Sequence, residues 1–230
     1  MPIENHNKII NKTAKDILSP HGVFQKGQSR LWIDDNGWVL TLVEFQPSGA
    51  KGSYLNVGLS FLWEDSAGFA FHFSSDNSSR TFFNNGKQFI NYINDVQFEE
   101  EMNFLAQVAL DRVFYYRQYK DLHYAKKCLS EVTFYKAWLS WHKLMLRLLI
   151  DDKDAEKYYV DFESELDLNE KLSDKHRQEN KERVKKFREN LGENSPRNAI
   201  ISTIIYQRDY LRGKGMKKLS TDIGIDRINT

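Results

Sequence analysis

Residues 4 to 18 set Ile9, Ile10, Ala14, Ile17 and Leu18 close to a 3.6-residue repeat, with Pro20 and Gly22 just beyond as stop signals, so the spacing predicts a first helix. From residue 23 the period falls to two. Leu31 and Ile33 share a face, Asp34-Asp35-Asn36-Gly37 reads as a hairpin turn built on Asn-Gly, and Val39, Thr41, Val43 and Phe45 follow in alternation. After the breakers Pro47-Ser48-Gly49 and Lys51-Gly52, the residues Leu55, Val57, Leu59, Phe61 and Trp63 alternate without error, which is the clearest strand signal in the chain. Phe69, Phe71 and Phe73 on one face, with His72 on the other, predict a further strand, and "RTFFN" at 80–84 predicts a short fifth one. The connections are too short for crossover helices, so the strands should pair as an antiparallel meander with one face on the core.

From Lys87 the pattern reads as helix almost to the end. Phe89, Ile90 and Ile93 open it, Phe104, Leu105, Val108, Ala109, Val113 and Tyr116 continue it, and 131–150 is apolar nearly all round, as suits the middle of a bundle. Acidic 151–170 and charged 173–191 read as outer helices. Ser195-Pro196 then supplies an N-cap and a first-turn proline to a stripe of Ile200, Ile201, Ile204 and Ile205 that ends at Gly213. The expected fold is α+β: an N-terminal helix, an antiparallel four- to five-stranded meander sheet, then a mostly α-helical C-terminal region. Three segments are expected: 1–86 as helix plus sheet, 87–212 as a helical region packed on the sheet, and 213–230 as a basic, irregular tail.

Composition sharpens this picture in two places. Of 31 aromatic residues only Phe187, Tyr206 and Tyr210 lie after residue 162, so the last third reads as an accessory layer. The formal net charge of +1 conceals nine acids against three bases in 151–172, and seven bases against three acids in 197–230. Solvated helix faces produce the same imbalance. One cysteine, Cys128, cannot form an internal disulfide, the start "MPIENHNKII" lacks a secretory layout, and no segment approaches the roughly 18 apolar residues of a membrane span. The expectation is a cytoplasmic protein without membrane contact.

The stretch "LSPHGVFQKGQSRLW", residues 18–32, holds a His, a Lys and two glycines, but its glycines follow a helix and precede a strand. A phosphate cradle needs the opposite order, so this reads as a helix-to-strand corner. Together with "TLVEFQPS" and "YLNVGLSF", the corner resembles an uncharacterised bacterial family, domain of unknown function four-three-zero-four. The matching positions are Pro20, Gly22, Phe24, Lys26, Gly27, Gln46, Asn56 and Gly58, within the first half of the chain. Val23 departs from the family, which usually joins the glycine directly to the phenylalanine. The resemblance implies an α+β module of unknown activity, in a family some of whose members look like immunity proteins beside bacterial toxins.

No two of the six histidines, His6, His21, His72, His123, His142 and His176, stand three to five residues apart, so no helical metal pair exists and neither metal nor cofactor is expected. No nucleophile elbow is present, and Cys128 lies in a helical pattern. The constellation of interest is the second face of the sheet, where Trp32, Asn56 and His72, with Glu44 or Gln46, would line a partly polar concavity. The tail "RDYLRGKGMKK" offers Arg208, Tyr210, Arg212, Lys214, Lys217 and Lys218 to phosphates and bases, although a pI of about 7.8 is low for a dedicated nucleic-acid binder. Three readings follow in order: a non-enzymatic module, immunity-like toward a toxin, that binds another protein by its sheet face or acidic helical face; a small-molecule or nucleotide enzyme with a sheet-face pocket; and an RNA or single-strand binder using the tail.

Overall fold

The computed structural model describes residues 5–47, 51–64, 69–74, 78–83, 86–132, 139–170 and 172–225. The chain opens with helix α1 (Asn5–Leu18), turns through a short 3-10 segment closed by Gly22 at φ 83°, and enters the strands β1 (Phe24–Gln25), β2 (Leu31–Asp35), β3 (Val39–Gln46) and β4 (Gly52–Phe61). These pair antiparallel in chain order, and β5 (Phe89–Asn91) completes the sheet beside the start of β4. Helices α2 (Asp95–Arg117), α3 (Leu122–Ser130), α4 (Leu139–Ile150), α5 (Ala155–Leu168), α6 (Asp174–Glu189) and α7 (Pro196–Gly213) follow. The α+β class, the N-terminal helix, the meander and the helical C-terminal region are as the periodicity predicts.

Several local expectations change. The hairpin turn is centred one residue later than Asn-Gly: Asp35 pairs with Leu40 and Asn36 N–H donates to Val39 O at 3.1 Å, so Gly37 and Trp38 form the connection. Gly37 supplies the positive φ of 81°. The helix expected from Lys87 begins at Asp95. Asn94 caps it by accepting from Gln97 N–H at 3.0 Å, and the apolar Phe89-Ile90 doublet serves as strand β5 instead, burying Ile90 opposite Ser53. The two short strands expected around 69–84 are reduced to isolated bridges from Phe73 to Leu59, Arg80 to Asn56 and Phe83 to Lys87. Of the apolar run 131–150, Leu139–Ile150 form α4, buried nearly all round, 131–132 follow α3 outside any helix, and 133–138 lie outside the described residues.

Helix α2 packs on α1 and lies over β3, β4 and β5, and α4 contacts α3, α5 and α7. The sheet is covered on both faces, not one. Val43, Phe45, Leu55 and Leu59 are buried on one face, and Ile33, Leu40, Leu42 and Ser60 on the other. Of the segment expected as a tail, 213 ends α7, 226–230 lie outside the described residues, and 214–225 hold no helix or strand but are docked: Met216, Leu219 and Ile223 are buried, and a Cβ on Gly37 would stand 2.3 Å from Ile223 O. No described helix is long and apolar enough to cross a membrane.

Candidate functional site

Strand register decides which expected site residues meet. Leu31 pairs with Glu44, Glu44 with Asn56, and Gln46 with Tyr54, so these side chains share one face. Asn56, buried, donates from Nδ2 to Glu44 Oε2 and to Gln46 Oε1, each at 2.9 Å. Arg80 donates to the same Gln46 oxygen at 2.5 Å, and its guanidinium lies 3.7 Å from the Tyr54 ring centroid. The alternation therefore brings Glu44, Gln46 and Asn56 together, while Tyr54 and Arg80 join them unannounced. Trp32 is not among them. It pairs with Val43 on the opposite face, where its ring is buried and its Nε1 has no hydrogen-bond partner among the described residues.

His72 is also elsewhere. Its Nδ1 accepts from Phe61 N–H at 2.9 Å, and its ring lies 6.1 Å from Phe61 and 5.1 Å from His142. His142 Nδ1 accepts from Trp63 Nε1 at 3.1 Å. Burial first, then the Arg183 charge, lowers the His72 pKa to about 4. Burial, then His72, then Arg183, holds His142 well below the ordinary range. Both rings are thus neutral near pH 7, with the proton on Nε2. Glu64 sits beside them, accepting from Trp141 Nε1 at 2.6 Å and from Arg183, whose guanidinium stacks 4.6 Å from the Trp141 ring. This satisfied node joins the end of β4 to α4 and α6. The expected concavity of Trp32, Asn56 and His72 does not form.

The corner at 18–24 borders a groove of about 1040 Å³ that also meets the hairpin turn and the C-terminal segment. Its two central carboxylates are engaged from opposite sides. Asp34 takes Arg117 at 2.6 Å, and Asp35 takes Arg208 in a bidentate pair at 2.7 and 2.8 Å. Arg208 is 2% exposed and also donates to the carbonyls of Gly37 and Ser220. It is a structural staple, unavailable to a phosphate. Of the other tail residues, Lys214 lies over Tyr210 at 5.5 Å, Lys218 over Phe24 at 5.9 Å, and Arg212 stands 3.8 Å from Asp209, while Lys217 is exposed.

Helix α2 carries the feature that periodicity missed. One face holds Phe98, Met102, Leu105, Ala109 and Val113 in the core. The other presents Val96, Glu100, Asn103, Phe104, Gln107, Asp111 and Phe114 to solvent. Val96 is 71% exposed, Phe104 43% and Phe114 42%, and Ile93, just before the helix, is 74% exposed. At 100° per residue these positions fall within an arc of about 100° over about 27 Å of helix. The signal was present but diluted: apolar side chains on both faces of α2 blur the stripe that periodicity seeks. No protein-family model, curated protein or solved structure matches this chain.

Proposed function

We propose that this chain is a non-enzymatic protein-interaction module, docking onto the outer face of α2 a partner protein whose matching face is apolar and basic. One observation carries the reading: Val96, Phe104 and Phe114 stand in solvent along a single continuous helix face. Single exposed apolar residues are ordinary, whereas an aligned series marks a contact surface. Helix α2 itself exposes Glu100 and Asp111 on this face, with Asp95 at its start, and the two bases beside it are already committed, Lys87 to Glu101 and Arg117 to Asp34. A second copy of the chain would set acid against acid. A basic partner gains from apolar burial and from opposite charge together.

The enzyme reading loses its pocket, because Trp32, Asn56 and His72 occupy three separate environments. The nucleic-acid reading loses Arg208 to the interior. The docking reading is tested by quantitative capture from extracts of the source organism at two salt concentrations. Wild type is compared with Val96→Asp/Phe114→Asp, and with a control pair on α5, Val160→Asp/Leu168→Asp. The expected result is a protein retained by wild type and the α5 variant but lost by the α2 variant, all three melting alike. The same retained set from all three would remove the proposal.

A further inference from the structure

Beside Phe104 the outer face of α2 is indented by a hollow of about 190 Å³. Phe83, Ile90 and Phe104 wall it, and Lys87, Glu100 and Glu101 rim it. Pockets for whole small molecules begin near about 300 Å³, so this one is sized for a single side chain. Its walls are fixed: Phe83 N–H donates to Lys87 O at 2.9 Å, Ile90 is buried in β5, and the Phe83 and Phe104 rings meet edge-on at 6.5 Å. The rim charges are unequal in their commitments. Lys87 Nζ already serves Glu101 at 3.3 Å, whereas Glu100 is exposed and makes no hydrogen bond or ion pair among the described residues.

Among the described residues an aromatic ring and a carboxylate together hold an arginine three times, one of them Arg117, 5.2 Å from the Phe114 ring and paired with Asp34 at 2.6 Å. Arg183 stacks on Trp141 and pairs with Glu64, and Arg188 lies 4.5 Å from the Tyr159 ring while pairing with Glu156 at 2.8 Å. Phe104 and Glu100 repeat that combination at the surface, with no arginine supplied from among the described residues. Resting on the docking reading above, we propose that the hollow receives an arginine side chain of the partner protein, its aliphatic stem against Phe83, Ile90 and Phe104 and its guanidinium on Glu100. Arginine suits the site better than lysine because its planar head both stacks on rings and forks onto a carboxylate.

The test uses two 18-residue amphipathic helical peptides, identical in their leucine stripe, one with a central arginine and the other with uncharged citrulline in its place. Fluorescence anisotropy measures each against the full chain and against Glu100→Gln and Val96→Asp/Phe114→Asp. The arginine peptide should bind wild type about fivefold more tightly than the citrulline peptide. Glu100→Gln should erase that preference and leave the citrulline affinity unchanged. Equal affinities in wild type, a preference that survives Glu100→Gln, or no binding of either peptide would overturn the arginine site. Its failure is separable from failure of the docking face. If Val96→Asp/Phe114→Asp weakens both peptides, the face stands without the arginine pocket, and if that variant changes nothing the face falls as well.

Discussion

Asp34 and Asp35 are consecutive strand residues and so point to opposite sides of the sheet, which lets one hairpin hold Arg117 from α2 and Arg208 from α7. The two pairs differ in their access to water. Arg208 lies in the interior, so Asp35→Asn should cost about 3 kcal/mol by leaving a buried cation uncompensated. Asp34→Asn should cost less, because Arg117 reaches solvent and keeps the His21 carbonyl. Urea titration of the two variants checks this, and equal losses would contradict it. The histidine node makes stability depend on pH with a definite sign. Burial, with help from Arg183, lowers the folded pKa of His72 to about 4 from an ordinary 6.5, so the unfolded chain binds the proton first. The His72 contribution is therefore complete above about pH 6.5 and declines as pH falls toward 4, by about 3 kcal/mol at most. His142, shifted the same way, adds to the decline. Denaturation at pH 7, 5.5 and 4.5 should show this slope, and His72→Gln, which keeps an acceptor for Phe61 N–H, should flatten it. An unaltered slope in that variant would be the contrary result.

At the scale of elements, α1, the β2–β3 hairpin, β4 and α7 were readable because each joins a clean period to a recognisable stop or cap. Two things were not. Phe89-Ile90 is an apolar doublet that suits either period, and only its pairing with β4 decides for strand. The face of Trp32 is the second, because β2 is apolar on both sides: its register with β3 and β4 puts Leu31, not Trp32, in line with Glu44 and Asn56. For the candidate site, Glu44, Gln46 and Asn56 could be grouped by parity along β3 and β4, but His72 could not, since residues 69–74 bridge β4 without continuing as a strand. The glycines of the corner and of β4 have structural work to do: Gly22 and Gly27 take positive φ, and a Cβ on Gly58 would meet Phe73 O at 2.5 Å. Gly58→Ala should accordingly cost about 1–3 kcal/mol, measurable by thermal melting, whereas a neutral effect would mean the Phe73 segment yields. Truncation after Lys214 should cost at least about 3 kcal/mol, because it exposes the surfaces that Met216, Leu219 and Ile223 cover and strips Arg208 of the Ser220 carbonyl. A frayed tail would leave stability unchanged.

Across the whole molecule, charge that looks segregated in sequence is largely matched in space. The acidic α5 faces the basic α6, where Glu156 meets Arg188 and Asp167 meets Lys181, each at 2.8 Å. Several arginines close helix ends or turns from within: Arg177 serves the carbonyls of Leu166 and Asp167, Arg197 that of Leu149, and Arg117 that of His21. Against this internal matching, the outer face of α2 stands out as acidic, apolar and uncovered. Of the other exposed apolar residues, Phe82 lies in the segment before β5, and Val160, Leu168 and Tyr206 lie on other helices. The most direct measurement is photo-crosslinking in living cells, with p-benzoylphenylalanine placed in turn at Phe104, Phe114, Val160 and Tyr206. Discrete crosslinked species from the two α2 positions alone would bear out the docking face. Species from Val160 or Tyr206 with none from Phe104 and Phe114 would contradict it.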